Sequence, residues 1–184
     1  DFVSAKFEGE VAEKLTLEAY TDYSGVKHRM NNFALRSTPA VAATRQSDTF
    51  ADPLGAGLSL RFGSAEQHIR IGGDFEAVDK GFMLYNPLSP TFFIHPLDRA
   101  KSDRIGAFAE ARAMLGLVDA ELGVRVDRHG ASTEAPRFGP GVPMGPAHLA
   151  RTFANADRKW SGTSVDAALR LSADFDEITP RLTL

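Results

Sequence analysis

The sequence predicts an all-β chain: an antiparallel, up-and-down transmembrane β-barrel segment of about eight strands. Three observations lead there. Apolar residues recur with period two, connections alternate between short and long, and several alternating runs exceed the length of ordinary globular strands. The clearest run sets Val118, Ala120, Leu122, Val124 and Val126 against Asp119, Glu121, Gly123, Arg125 and Asp127. In a strand these sets face opposite sides, whereas a helix would spread the charges around its whole circumference.

The other elements follow in order. Leu15, Leu17, Ala19, Thr21 and Tyr23 oppose Thr16, Glu18, Tyr20 and Asp22. Ile69, Ile71, Gly73, Phe75 and Ala77 oppose His68, Arg70, Gly72, Asp74 and Glu76. Thr163, Val165, Ala167, Leu169 and Leu171 oppose Ser164, Asp166, Ala168, Arg170 and Ser172. The pattern predicts strands at 2–8, 15–24, 54–62, 67–77, 103–115, 118–129, 160–172 and 178–184. Short turns are expected near Gly9–Lys14, Gly63–Glu66, Gly116–Leu117 and Ala173–Glu177. Long Pro- and Gly-rich loops are expected at Ser24–Pro53, Val78–Ser102 and Gly130–Lys159, with "GPGVPMGP" at 139–146 read as non-helical.

Two architectures accept long amphipathic antiparallel strands. A soluble sandwich or lipocalin-like barrel turns the apolar parity into a core. An outer-membrane barrel turns it to lipid, with short turns at one end and long loops at the other. The alternation of connections favours the membrane barrel. So do Ala107, Ala109, Ala111 and Ala113, which would underfill a soluble core but suit lipid. Tyr23 and Phe75 near the loop side, with Phe7 and Phe62 near the turns, sketch two aromatic girdles. Both ends of the sequence fall in or at the start of strands, so a portion of a larger barrel is expected, with open edges at 2–8 and 178–184.

Composition narrows the function. The chain has 184 residues, a net charge of −3 and no cysteine. Lys and Arg are dispersed among Asp and Glu, which gives no case for a nucleic-acid partner. Disulfides and thiolate metal sites cannot come from this chain. It opens at Asp1 with no initiator Met and no basic-then-apolar leader, so a signal peptide is expected to be absent or removed. No Gly-rich phosphate cradle runs from strand to helix and no nucleophile–base–acid set is apparent, so no enzyme activity is expected.

Certain phrases go further. "LTLEAYTDYSGVKHRMNNFALR", "IGAFAEARAMLGLVDAELGVRVDRHGAST" and "ITPRLTL" resemble the barrel of TonB-dependent outer-membrane receptors. "G-x-F-x-E" on one strand and "G-x-R-x-D" on the next match a recurring pattern of that superfamily. The resemblance covers most of this chain but only part of a 22-stranded barrel. It implies that residues 1–184 are a partial receptor barrel domain, with the plug domain and the remaining strands lying elsewhere. It also implies a location in the bacterial outer membrane, outer-membrane lipid and a TonB energy-transducing complex as partners, and transport of a metal or metal chelate. The polar strand faces (Glu18, Asp74, Glu110, Arg112, Arg125, Asp127, Asp166 and Arg170) would line the lumen and hold the plug.

Within the superfamily, "HRMNNFALR" is similar to the "H-x-M-D-N-[FY]-x-L-R" stretch of copper-associated receptors, with Asn31 where Asp is usual. His28, Met30, Asn32, Phe33, Leu35 and Arg36 match. The resemblance implies that His28 and Met30 are the barrel's share of a copper site, the copper ion being the transported substrate. The chemistry agrees: imidazole and thioether are soft to borderline ligands, and thioether favours Cu(I). Two residues apart on extended backbone, both lie on one face, roughly 6–7 Å apart. Met83 with His95, and Met144 with His148, place similar residues in the other two long loops as accessory candidates. A siderophore or other chelate receptor would instead use the loop aromatics Phe82, Tyr85, Phe92, Phe93 and Phe138. A soluble binding module would turn the apolar parity inward. Asp127–His129 and the mixed charges from Asp98 to Arg104 read as solvated rim.

Overall fold

The computed structural model describes residues 1–184 apart from 36, 38, 39, 65, 174–180 and 184. Eight strands form one continuous antiparallel path. In the order in which they pair they are β1 (Phe2–Ala12), β2 (Leu15–Ser24), β4 (Gln46–Gly63), β5 (His68–Asn86), β6 (Ser89–Leu115), β7 (Val118–Thr133), β9 (Lys159–Ala173) and β10 (Arg181–Thr183). Two short strands lie off this path: β3 (Val26–Asn31) pairs with β4, and β8 (Arg137–Phe138) with β6. β1 and β10 stand at the two ends of the order, with no pairing between them among the described residues. The expected turn at Ala173–Glu177, most of strand 178–184, and Arg36 of the motif fall outside the described residues.

Register shows which face is which. Ala19, Leu58, Gly73, Ala107, Val126 and Val165 form one cross-strand row, and Leu17, Leu60, Ile71, Ala109, Val124 and Ala167 the next. The alternate rows hold Glu18, Ser59, Gly72, Phe108, Arg125 and Asp166, then Tyr20, Gly57, Asp74, Gly106, Asp127 and Ser164. Burial runs opposite to that of a soluble protein. Leu122, Val124 and Val126 are 52%, 46% and 47% exposed, while Asp127 between these rows is 5% exposed. Among the described residues the buried apolar ones are Ala100, Ala147 and Ala150, all remote from this band; the buried polar ones include Gln46, Ser59, Asn86 and Asp127. A sandwich or lipocalin needs the reverse arrangement, so the soluble alternative does not describe this sheet.

The dimensions fit a bilayer. From the Ile105 row to the Leu115 row the strand advances about 34 Å, or about 26 Å along the normal at a tilt of about 40°. An apolar band of about 25 Å is what a barrel presents to lipid. The sheet is therefore a stretch of antiparallel transmembrane-barrel wall. Among the described residues no helix is long and apolar enough to cross a membrane, which has no bearing on strands.

Above the band the expected long loops are largely ordered structure. Val78–Ser102 is a hairpin, with β5 running to Asn86 and β6 starting at Ser89. Ser24–Pro53 contains β3, a short 3-10 turn (Val41–Ala43) and the first residues of β4. The alternation weakens there because β4 and β6 contain Pro53, Pro90 and Pro96, residues that lack the ladder donor. The register shifts near Leu97 absorb Pro96 as a bulge. In the third segment, α1 (Met144–Ala154) corrects the non-helical reading of 139–146. Pro143 caps the helix and Pro146 sits in its first turn, where N–H groups have no intrahelical acceptor and proline costs little. Gly116, at φ +67°, makes the tight turn between β6 and β7.

Nitroxide labels placed singly from 118 to 127 in the membrane-inserted protein should alternate between lipid and water accessibility. Lipid contact is expected at Ala120, Leu122, Val124 and Val126. Uniform accessibility or a period of 3.6 residues would contradict this wall.

Candidate functional site

The lumen-type face carries its charge as connected ion pairs. Arg125 donates to Asp74 through Nη1 at 2.7 Å and to Asp127 through Nε at 2.6 Å. Arg104 donates through Nη1 to Asp74 at 2.7 Å and to Asp127 at 2.9 Å. Two guanidinium groups and two carboxylates thus close a ring across three strands. Gly106 makes room for it, because a side chain there would collide with Arg125 and Asp127. Lower on the same face, Arg70 pairs with Glu18 at 2.6 Å, Arg112 with Asp119 at 2.7 Å and Arg170 with Glu121 at 3.3 Å. Phe108 lies between Arg70 and Arg125, whose guanidinium carbons are 5.4 and 6.0 Å from its ring centre. Glu110 meets His68 Nε2 at 3.2 Å. Of the eight lumen residues expected from sequence, Asp74, Arg125 and Asp127 are thereby brought into one cluster.

A second polar assembly stands above the apolar band, where β3, β4 and β5 continue upward. Asp48 is its hub. Arg29 grips it with both prongs, Nε to Oδ1 at 2.8 Å and Nη2 to Oδ2 at 3.2 Å, and Tyr85 donates its hydroxyl to Oδ2 at 3.2 Å. Gln46 donates to Asp48 Oδ1 at 3.3 Å and also bonds the Tyr85 hydroxyl. The Arg29 guanidinium holds the Asp48 carboxyl below the usual carboxylate range. Burial first, and then the Asp48 charge, push the Tyr85 phenol up. Across the cleft, Arg137 donates to Asp98 at 2.6 Å and His95 Nδ1 lies 2.9 Å from the same carboxylate. Arg137 and then His95 hold Asp98 below its ordinary range.

Between the two acids lies a cleft of about 490 Å³, lined by residues that include His28, Asp48, Phe50, Met83, His95 and Asp98. Sequence had placed His28, Met83 and His95 in two separate loops; pairing of β3, β4, β5 and β6 brings them to one concavity. His95 Nδ1 lies between Asp98 and, at 3.5 Å, the Arg137 guanidinium. Met30 is not among the lining residues and is 50% exposed.

Register places His28 opposite Thr49 and Met30 opposite Ser47. Thr49 and Ser47 in turn face Phe82 and Leu84, and no shift interrupts β4 between these positions and Ser59. His28 and Met30 therefore share the parity of the charged lumen face, while Arg29, Asp48 and Met83 share that of the apolar band. Met144 and His148 lie apart from them on α1, with Met144 fully open to solvent. Among the described residues no group of three or more His, Asp or Glu side chains forms a metal cage. Sequence reasoning missed Asp48 and Arg137; it had Tyr85 only as a loop aromatic and Asp98 only as solvated rim charge, not as a partner of Arg137. The alternation of Val26, His28 and Met30 against Lys27, Arg29 and Asn31 was the available signal for β3.

No family model and no curated protein matches the chain. Solved structures do match it. One of them, "Copper transporter OprC", superposes on 96% of this chain with a TM-score of 0.69 at 17% identity. What the two share is a fold. The chain spans 28% of the length of that transporter.

Two outcomes test this geometry. Replacing Arg125 with Met leaves Asp74 and Asp127 to share Arg104 on a face that opens to water, so the cost should be about 1 kcal/mol rather than that of a sealed interior. Urea titration of the full membrane protein in detergent measures it. Second, both rim carboxyls have lowered values in the folded state, so the unfolded state binds more protons and stability rises with pH. That stability is complete above the unfolded carboxylate value, about 4, and is lost as pH falls through the lower folded values. Hydrogen-exchange protection factors at 94–98 and 137–138, taken relative to the intrinsic rate at each pH, should fall only below about pH 4.

Proposed function

We propose that this chain is part of the barrel domain of an outer-membrane TonB-dependent receptor that takes up a scarce metal, with copper ion as the substrate. The observation that carries the membrane half of this reading is the inverted burial of the sheet. Lipid is the solvent that makes exposed Leu122, Val124 and Val126 favourable, and a water-filled lumen is the medium that suits Asp74, Arg125 and Asp127. The fold likeness to a copper transporter is consistent with transport as the activity and leaves chemistry to the residues. On this reading the remaining strands and a plug complete the barrel, and the TonB complex acts on the plug.

Copper rests on "HRM" and its neighbours. His28 and Met30 share the lumen-side parity above the charged wall, which suits ligands that meet a plug along the barrel axis. Their separation along β3 lets both donors reach one soft ion. A chelate receptor is the second reading. The observation favouring it is the cleft, which has the size of a small-molecule site and contains Phe50 and Phe82. Arg45, stacked 3.8 Å over Phe92 of β6, adds a cationic aromatic surface.

In the full receptor, His28→Ala and Met30→Ala should each weaken Cu(I) binding by about tenfold or more, read by competition with a Cu(I) chelator. Acid should weaken binding in the parent because a protonated imidazole cannot ligate, and less so in His28→Ala, where the thioether has no proton to gain. A double variant that binds Cu(I) as tightly as the parent removes copper from this site. If it also keeps its affinity for a ferric siderophore, the chelate reading takes its place.

A further inference from the structure

Above the band, two consecutive irregularities reshape the β5–β6 ladder. Phe82 pairs with Leu97 and Leu84 with Ile94, so Met83 alone stands opposite His95 and Pro96. Lys80 pairs with Ala100, so Gly81 alone stands opposite Asp98 and Arg99. One residue against two is a bulge, which breaks the ladder and re-aims side chains on the longer strand. Register then assembles a single row across five strands: Arg29, Asp48, Met83, His95 and Arg137. Asp98 joins it, since its carboxylate meets both His95 and Arg137. The row has the parity of the apolar band and not that of His28 and Met30, so it faces away from the lumen.

At the centre of the row a thioether faces an imidazole. Met83 and His95 are cross-strand neighbours, a relation that puts Cβ atoms about 5 Å apart, and both line the cleft. The imidazole is held from two sides. Phe93 meets it edge-on with ring centres 5.4 Å apart, and Asp98 engages Nδ1 at 2.9 Å. Ligation through Nε2 requires the ring proton on Nδ1, where the Asp98 carboxylate stands to accept it. The hydrogen bonds of His95 run through Nδ1, and none among the described residues uses Nε2. The neighbouring carboxylates are already matched, Asp48 by Arg29 and Asp98 by Arg137, and Lys27 adds a further cation to the lining. With no spare negative charge, the cleft does not suit a hard divalent ion. A neutral thioether beside a neutral imidazole suits a soft monovalent one.

We propose that Met83 and His95 form a soft-metal clip, a site where a monovalent copper or silver ion ties β5 to β6 across the broken ladder. Pro96 has no N–H to give, so metal bonds supply there a cross-strand link that the backbone cannot. The clip goes beyond the copper reading of His28 and Met30: it stands on other strands, on the opposite face, and off the path through the lumen. Its effect is structural, since bound metal stiffens the β5–β6 rim hairpin.

The test uses the full receptor in detergent carrying His28→Ala and Met30→Ala, with Ag(I) alone as the probe in chloride-free buffer. Native mass spectrometry counts the bound silver, and hydrogen exchange follows residues 82–98. Adding Met83→Leu or His95→Gln should remove one silver ion. Asp98→Asn, which leaves both ligands in place, should weaken silver binding by roughly tenfold. Leucine keeps the apolar volume of methionine, so Met83→Leu tests the sulfur and not the packing. Ag(I) should slow exchange at 82–98 while Met83 and His95 are both present, and have no effect there once Met83 is replaced. An unchanged silver count in either Met83→Leu or His95→Gln, or exchange at 82–98 that ignores Ag(I), overturns the proposal. So does Zn(II) binding as tight as that of Ag(I), which would make this a histidine–carboxylate site. If His28→Ala and Met30→Ala cost the parent receptor no metal, the copper reading at β3 fails and the clip still stands or falls by the Met83 and His95 variants.

Discussion

Everything in this sheet depends on backbone pairing being complete where lipid offers no alternative partner. An amide facing hydrocarbon without an acceptor costs several kcal/mol, so a strand can cross only if both its edges are laddered. The register meets that demand with long uninterrupted ladders, such as Gln46–Gly63 against His68–Tyr85. Among the described residues, irregularity appears only where water can compensate. The shifts between β5 and β6 lie above Lys80, and the shift between β1 and β2 lies at Glu10, beside the opposite turn. Once the ladder is fixed, parity follows, and every side chain is committed to lipid or to lumen.

The polar face follows from the same commitment. Side chains committed to the lumen cannot rotate out to lipid, so the charges there must be compensated locally. The Asp74–Arg104–Arg125–Asp127 ring does so with two charges of each sign, and Gly57 and Gly106 supply the space that Tyr20 and Arg125 occupy. In this water-facing setting the ring contributes shape and orientation more than net stability. The rim assemblies at Asp48 and Asp98 have the same design, each a carboxylate gripped by one arginine and steadied by a second polar side chain.

The sequence made the wall legible and the rim much less so. Alternation at 118–127 or 15–23 reflects one solvent on each side, a contrast that any reading of hydropathy detects. Above the band both faces meet water, so that contrast disappears and Ser47, Asp48 and Thr49 show no parity. Pro53, Pro90 and Pro96 then read as loop, although each is accommodated within a strand. Helix α1 was hidden by Gly145 and Pro146, which punctuate a helix start as readily as a turn. The convergence of His28, Met83 and His95 on one cleft depends on three separate pairings and has no local signature.

The β4–β5 ladder also bears on how the chain assembles. Its pairing runs unshifted along the full 18 residues of β4, and its ends are joined by the few residues between Gly63 and His68. Closing so short a loop costs little entropy, and each further pair zips onto the last without a search. The neighbouring hairpin β6–β7 closes through Gly116 and Leu117 with the same economy. By contrast, β2 reaches β4, and β7 reaches β9, only after the intervening rim segments are in place. The wall is thus divided kinetically into runs of strands joined by tight turns, β1–β2 and β4 through β7, that form early and seams at β2–β4 and β7–β9 that form late, and the rim segments containing His28 and α1 belong to the seams.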